Sequence, residues 1–135
     1  MKTVVTVVRV LLGLILVASG IAGLLGKVPP PDPGPGLDFM TALASGGVMT
    51  TVKVFEVIIG LLLVVGRFVP LALVMLVPIA VNIVMYHLRF DPAGGVGAYV
   101  VGALTVVLLW AYRGSLMPLL TQRAEPLAAA PSARF

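Results

Sequence analysis

Polar residues in this chain gather in short interruptions between four long apolar runs. The runs extend from about Val4 to Leu25, Met49 to Val65, Phe68 to Leu88 and Val96 to Tyr112. A helix needs about 20 apolar residues to cross a hydrocarbon core of about 30 Å, so each run predicts a membrane span, the second being short. The pattern predicts an all-α membrane protein, a four-transmembrane-helix bundle over residues 1–122.

The interruptions predict the connections. Prolines in "KVPPPDPGPG" exclude a helix there, because proline removes a donor and restricts its neighbour. Asp38 then stands where a cap would, ahead of Phe39, Met40, Ala42 and Leu43, which predicts a short amphipathic helix lying at the interface in the first outer loop. "GRFVP" between the second and third runs is short enough to force an antiparallel hairpin. Residues 123–135, with Ala, Pro and Ser but no useful apolar periodicity, are expected to form a flexible cytoplasmic tail.

Composition makes the membrane reading firm and narrows the chemistry. Of 135 residues, 60% are hydrophobic and 10% charged, more apolar surface than a soluble domain of this length could bury. The chain has no cysteine, which removes disulfides, thiolate nucleophiles and thiolate metal sites. One histidine and five acidic residues leave little for a metal site made by the protein alone, and none is expected. The net charge of +4 is dispersed over chain ends and short loops, so nucleic-acid binding is excluded and topology is the better reading. Placing both termini in the cytoplasm puts Lys2, Arg67, Arg113, Arg123 and Arg134 inside, and leaves Lys27 and Arg89 outside beside Asp32, Asp38 and Asp91. A cleaved signal peptide is the rival for the first run, given the small residues of "VASGIAG". Arg9 would interrupt its apolar stretch and the run continues to Leu25, so the segment is expected to be retained as a span.

Candidate chemistry starts from "TVKVFEVIIGLLLVVG". A charged side chain at mid-membrane costs roughly 2.5–3.5 kcal/mol on insertion scales and normally faces the bundle interior with a partner. Helical spacing places Lys53, Glu56 and Gly60 on one face. On the first run, Arg9, Gly13, Leu16, Gly20 and Lys27 line one stripe, expected to pack inward. Arg9 could reach Glu56 only at full extension, or through water or a ligand. Pro78, Asn82, Tyr86 and Arg89 lie near one face of the third run, where Asn82 is expected to hydrogen-bond across helices or to a ligand. His87 reads as an interfacial side chain, and Trp110 with Tyr112 as a cytoplasmic aromatic belt. "GGVG" at Gly94 to Gly97 follows no strand and is a helix entrance rather than a dinucleotide fingerprint. Three roles stand open for the Lys53–Glu56 pair: fixing helix packing, binding a ligand, or relaying protons.

The stretches "RVLLGLILVASGIAGLLGK" and "EVIIGLLLVVGRFVPLALVMLVPIAVNIVMYHL", with Glu56, Gly60 and Gly66 followed by an arginine in the turn, resemble the DoxX family of small four-helix bacterial membrane proteins. The resemblance covers about Thr3 to Leu120. One departure is visible: family members often carry a lysine soon after the glycine pair of helix one, where this chain has Gly23 and reaches Lys27 only later. The resemblance implies a multi-pass protein of the bacterial cytoplasmic (inner) membrane, associated with quinone-linked redox complexes. The expected function is therefore a subunit of such a complex, with no catalytic constellation of its own. Arg9, Lys53, Glu56 and Asn82 would line a polar pocket for a quinone or lipid headgroup. Lys53 or Asn82 would donate to a quinone carbonyl, and Glu56 would exchange a proton with the reduced form. Expected partners are the bilayer, that ligand, and a homo-oligomer or larger membrane complex. Alternatives are a small proton-coupled transporter in which Glu56 alternates between proton and substrate, and a purely structural scaffold subunit.

Overall fold

The computed structural model describes residues 1–123, so the expected tail lies, apart from Arg123, outside the described residues. The described residues form helices α1 (Lys2–Leu24), α2 (Pro35–Ser45), α3 (Val48–Val65), α4 (Val69–Phe90), α5 (Val96–Ala111) and α6 (Arg113–Leu116), then a 3₁₀ turn at Met117–Leu120. No strand occurs among them. In hydrocarbon every backbone donor and acceptor must be satisfied within the segment, which selects helix for uninterrupted apolar runs. Helices α1, α3 and α4 are long and apolar enough to cross a membrane. The 16-residue α5 becomes a fourth candidate only together with Arg113–Leu120, which bends 76° away from it.

Glycine and proline rather than capping side chains set the helix ends. Gly66 ends α3 at φ 77°, a left-handed conformation suited to glycine, and its N–H donates to the Leu62 carbonyl at 2.9 Å. Phe68 also turns left-handed, at φ 55°, immediately before α4. Two left-handed residues within a three-residue link reverse the chain into the expected hairpin. The connection between α1 and α3 contains a helix, but Asp38 does not cap it. Gly34 precedes it and Pro35 opens it, because a fixed proline φ at the first position is preorganised for helix. Asp38 falls in the first turn instead. Pro78 leaves α4 unbroken.

Packing is organised by α1 against α3, with α4 and α5 completing the core and α2 laid across the end of α3 and α4. The buried centre is Leu12 and Leu16 of α1, Ile59 and Leu63 of α3, Leu73 and Leu76 of α4, and Leu108 of α5. Phe39 of α2 stacks on Tyr86 and Phe90 of α4, with ring centroids 6.1 and 5.9 Å apart. The Tyr86 hydroxyl donates to the Gly36 carbonyl at 3.4 Å. Antiparallel packing gives the bundle two ends. One holds α2 and the starts of α3 and α5. The other holds the α3–α4 hairpin turn and the C-terminus of α5.

Candidate functional site

The seam between α1 and α3 is built from glycines. A Cβ on Gly13 would lie 2.7 Å from the Gly60 carbonyl oxygen, and one on Gly60 would lie 2.7 Å from the Gly13 carbonyl oxygen. Seven residues further along α1, a Cβ on Gly20 would meet the Lys53 carbonyl oxygen at 2.8 Å. The helices touch backbone to backbone, the mode of association that small residues allow in membranes. The seven-residue spacing keeps this contact on one stripe of each helix. The sequence expectation of an inward glycine stripe on α1 is met for Gly13, Leu16 and Gly20, all buried. Lys27 lies beyond the end of α1 and is exposed.

That close approach assembles a buried polar ring near the α2 end. Lys53 Nζ donates to Glu56 Oε1 at 3.1 Å and Oε2 at 3.0 Å, one helical turn apart on α3. Ser19 of α1 closes the ring: its hydroxyl donates to Glu56 Oε2 at 3.1 Å and accepts from Lys53 Nζ at 3.3 Å. The Glu56 side chain is 1% exposed and that of Lys53 17%. The lysine stem lies over Gly23, where a Cβ would come within 2.6 Å of its Cδ. Each charge therefore meets its opposite, and a hydroxyl joins them across the helix interface. Buried charges are tolerated on those terms.

The other two candidates stand apart. Arg9 lies ten residues before Ser19 on α1, about 15 Å away by helical rise, at the hairpin end. It does not reach Glu56. Its guanidinium lies flat against Gly66, where a Cβ would fall 2.7 Å from Cζ, Nη1 and Nη2 alike. Nη1 donates to the Tyr112 hydroxyl at 3.4 Å, and the buried Nε has no partner among the described residues. Asn82 does not bond across helices. Its amide donates to the Pro78 carbonyl of its own helix at 2.8 Å, and its side chain is exposed on the outer face of α4. By helical geometry Asn82 points at least about 120° away from the buried Leu73, Leu76 and Ala80, so it turns away from the core. The structure thus joins Lys53 to Glu56 and separates both from Arg9 and Asn82.

Ser19 is the participant that sequence reasoning missed. It reads there as one small residue in "VASG", and only the register of α1 on α3 sets it opposite Glu56. Tyr112, expected in the aromatic belt, has a second role. It is half-buried against the core and also accepts from Arg9.

Neither principal cavity adjoins the ring. An open apolar groove of about 400 Å³ runs between α4 and α5, lined by Val77, Ala80, Val84, Gly102 and Thr105 among others. A second, of about 350 Å³, lies between α4 and the segment after the α5 bend. Thr105 donates to its own helix, to the Val101 carbonyl at 2.7 Å, which leaves the first groove without a free donor from that side chain. Among the described residues no three His, Asp or Glu side chains come together as a metal site. No family model, curated protein or solved structure matches this chain.

Proposed function

We propose that this chain is an integral membrane subunit of the DoxX-like type, a four-span bundle of the bacterial cytoplasmic membrane that contributes no reaction centre of its own. It would serve a larger membrane complex, with the link to quinone redox chemistry resting on the sequence resemblance. The observation that carries the subunit reading is the closed Ser19–Lys53–Glu56 ring. Its donors and acceptors face one another across the α1–α3 seam, away from both grooves, so the polar chemistry in the span is directed at holding two helices together. Charge supports both termini on the cytoplasmic side. Among the described residues the hairpin end carries Lys2, Arg9, Arg67 and Arg113 with no acid, whereas every described acid lies toward the α2 end. Trp110, exposed with Arg113 stacked 4.3 Å from its ring centroid, suits a cytoplasmic aromatic belt.

Purification from native membranes in mild detergent tests this. The expected result is co-purification with at least one further membrane chain, with quinone in the assembly. A chain that comes alone and carries no quinone would overturn the reading.

A second reading puts a quinone or lipid headgroup on Lys53 itself. Lys53 is the only charged member of the ring with appreciable exposure, so a ligand carbonyl could accept from its ammonium while Glu56 exchanges a proton with the reduced ligand. Replacing the pair together, Lys53→Met with Glu56→Leu, separates the two. The subunit reading expects an intact complex, whereas the ligand reading expects quinone retention to vanish. The proton-coupled exporter is the weakest reading, because the Lys53 ammonium already occupies the place a cationic substrate would take against Glu56.

A further inference from the structure

We infer that Arg9, seated on Gly66 beside Tyr112, is a binding site for the phosphate of an anionic phospholipid at the hairpin end of the bundle; this rests on the bilayer reading of the apolar helices. A guanidinium carries five N–H donors and has no neutral form to retreat to in a protein. Here the one bond it makes is long, 3.4 Å from Nη1 to the Tyr112 hydroxyl. The Nε donor is buried without a partner. Among the described residues no carboxylate lies within salt-bridge distance of Arg9, since the two ion pairs found join Lys53 to Glu56 and His87 to Asp91. Among the described residues the half-buried cation therefore has no counter-charge and leaves donors unused.

An uncompensated charge withdrawn from water demands a counterion. Two features select a lipid phosphate. The first is level: the guanidinium sits at the α3–α4 turn and beside Tyr112, just past the end of α5, while α1 continues about two turns further to Lys2; on the bilayer reading headgroups begin near this level. Arginine near a helix end reaches for that layer. The second is field: Lys2, Arg67 and Arg113 surround the same end with no described acid among them, which draws anionic headgroups to it. Seating one face of the guanidinium on Gly66, with Nε buried and Nη1 turned to Tyr112, leaves Nη2 to donate to a phosphate oxygen. The Tyr112 hydroxyl, accepting from Nη1, keeps its own proton free to donate to the same phosphate.

The test is native mass spectrometry and thermal melting of the full chain in mild detergent. Phosphatidylglycerol is compared with phosphatidylcholine of identical acyl chains, and with inorganic phosphate. Wild type is expected to retain phosphatidylglycerol about tenfold better than phosphatidylcholine, and Arg9→Gln to lose that preference, as the loss of a charge-assisted contact implies. Arg67→Gln and Arg113→Gln, which remove equal charge from the same end, are expected to change it less than about threefold. If Arg9→Gln does not fold, Arg9→Lys reads the same preference: it keeps the charge but loses the fork, and should bind several-fold more weakly. No preference in wild type, or an equal loss in Arg67→Gln, would overturn the site. An Arg9-dependent shift with inorganic phosphate as large as that with the lipid would overturn the lipid as its source.

Discussion

The two ends of this bundle handle buried charge in opposite ways. Toward α2, Lys53 and Glu56 neutralise each other and Ser19 ties them across the seam. At the hairpin end, Arg9 lies against Gly66 and, among the described residues, hydrogen-bonds only to Tyr112, with its Nε unpartnered. Both sites are set by the same pair of helices, α1 and α3, a few turns apart. A self-satisfied cluster needs nothing from outside and serves the fold. The proposed lipid phosphate would complete the cation left open at the other end. The two ends differ in whether the donors and acceptors of a charged residue in an apolar helix are already used.

The largest expected effect comes from breaking what the two ends share. Gly60→Leu drives a side chain into the Gly13 backbone and should separate α1 from α3, at a cost of about 3 kcal/mol or more. The folded fraction in a detergent unfolding titration should fall sharply, with both sites lost together.

Next in size is Glu56→Gln, which leaves the Lys53 ammonium without its counter-charge. Removing one partner of a buried pair typically costs about 3–5 kcal/mol, and the partial exposure of Lys53 brings the expected loss to about 2–3 kcal/mol. The joint replacement Lys53→Met with Glu56→Leu should return stability to within about 1 kcal/mol of wild type, because apolar substitutes for a buried pair are commonly neutral or better. A double variant no more stable than Glu56→Gln would show that the ring is not a self-contained packing device.

Ser19→Ala should cost about 1 kcal/mol, the loss of one bridging hydroxyl. The same unfolding titration reads it, and no change at all would mean the ring closes without α1.

Arg9→Gln sharpens the contrast by its small size. In lipid-free detergent it should alter stability by less than about 1 kcal/mol, since no ion pair is broken. Tyr112→Phe should cost less still, about 0.5 kcal/mol or below, because a contact of 3.4 Å is at the long limit of a hydrogen bond. An Arg9→Gln loss rivalling that of Glu56→Gln would erase the distinction between the closed end and the open one.

Much of the fold is legible along the chain. The expected runs Val4–Leu25, Met49–Val65 and Phe68–Leu88 match α1, α3 and α4 to within two residues at each end. Long apolar stretches have a single way to satisfy their backbones, so pattern and structure agree there. The fourth run, Val96–Tyr112, matches α5 to within one residue, and Arg113-Gly114-Ser115 interrupts it; what the pattern does not show is that Arg113–Leu120 continues as short helical turns bent 76° from α5. The start of α2 was misplaced because Asp38 is a good cap in isolation, while Pro35 had already opened the helix. Asn82 was expected inside because a polar residue in a span normally seeks another helix. It is instead served by the Pro78 carbonyl one turn back, a local partner that a face-by-face reading does not weigh.

By itself the sequence determined the all-helical character, the hairpin at Gly66, the inward glycine stripe and the Lys53–Glu56 pair. All of these rest on spacing within one helix or on the backbone freedom of single residues. Only the tertiary structure decided that Ser19 completes the ring and that Arg9 faces Gly66 and Tyr112 instead of Glu56. Those outcomes depend on how far α1 is shifted along α3. That shift is set by the mutual fit of Gly13 on Gly60 and of Gly20 on the Lys53 backbone, a contact between distant parts of the chain that no local pattern contains.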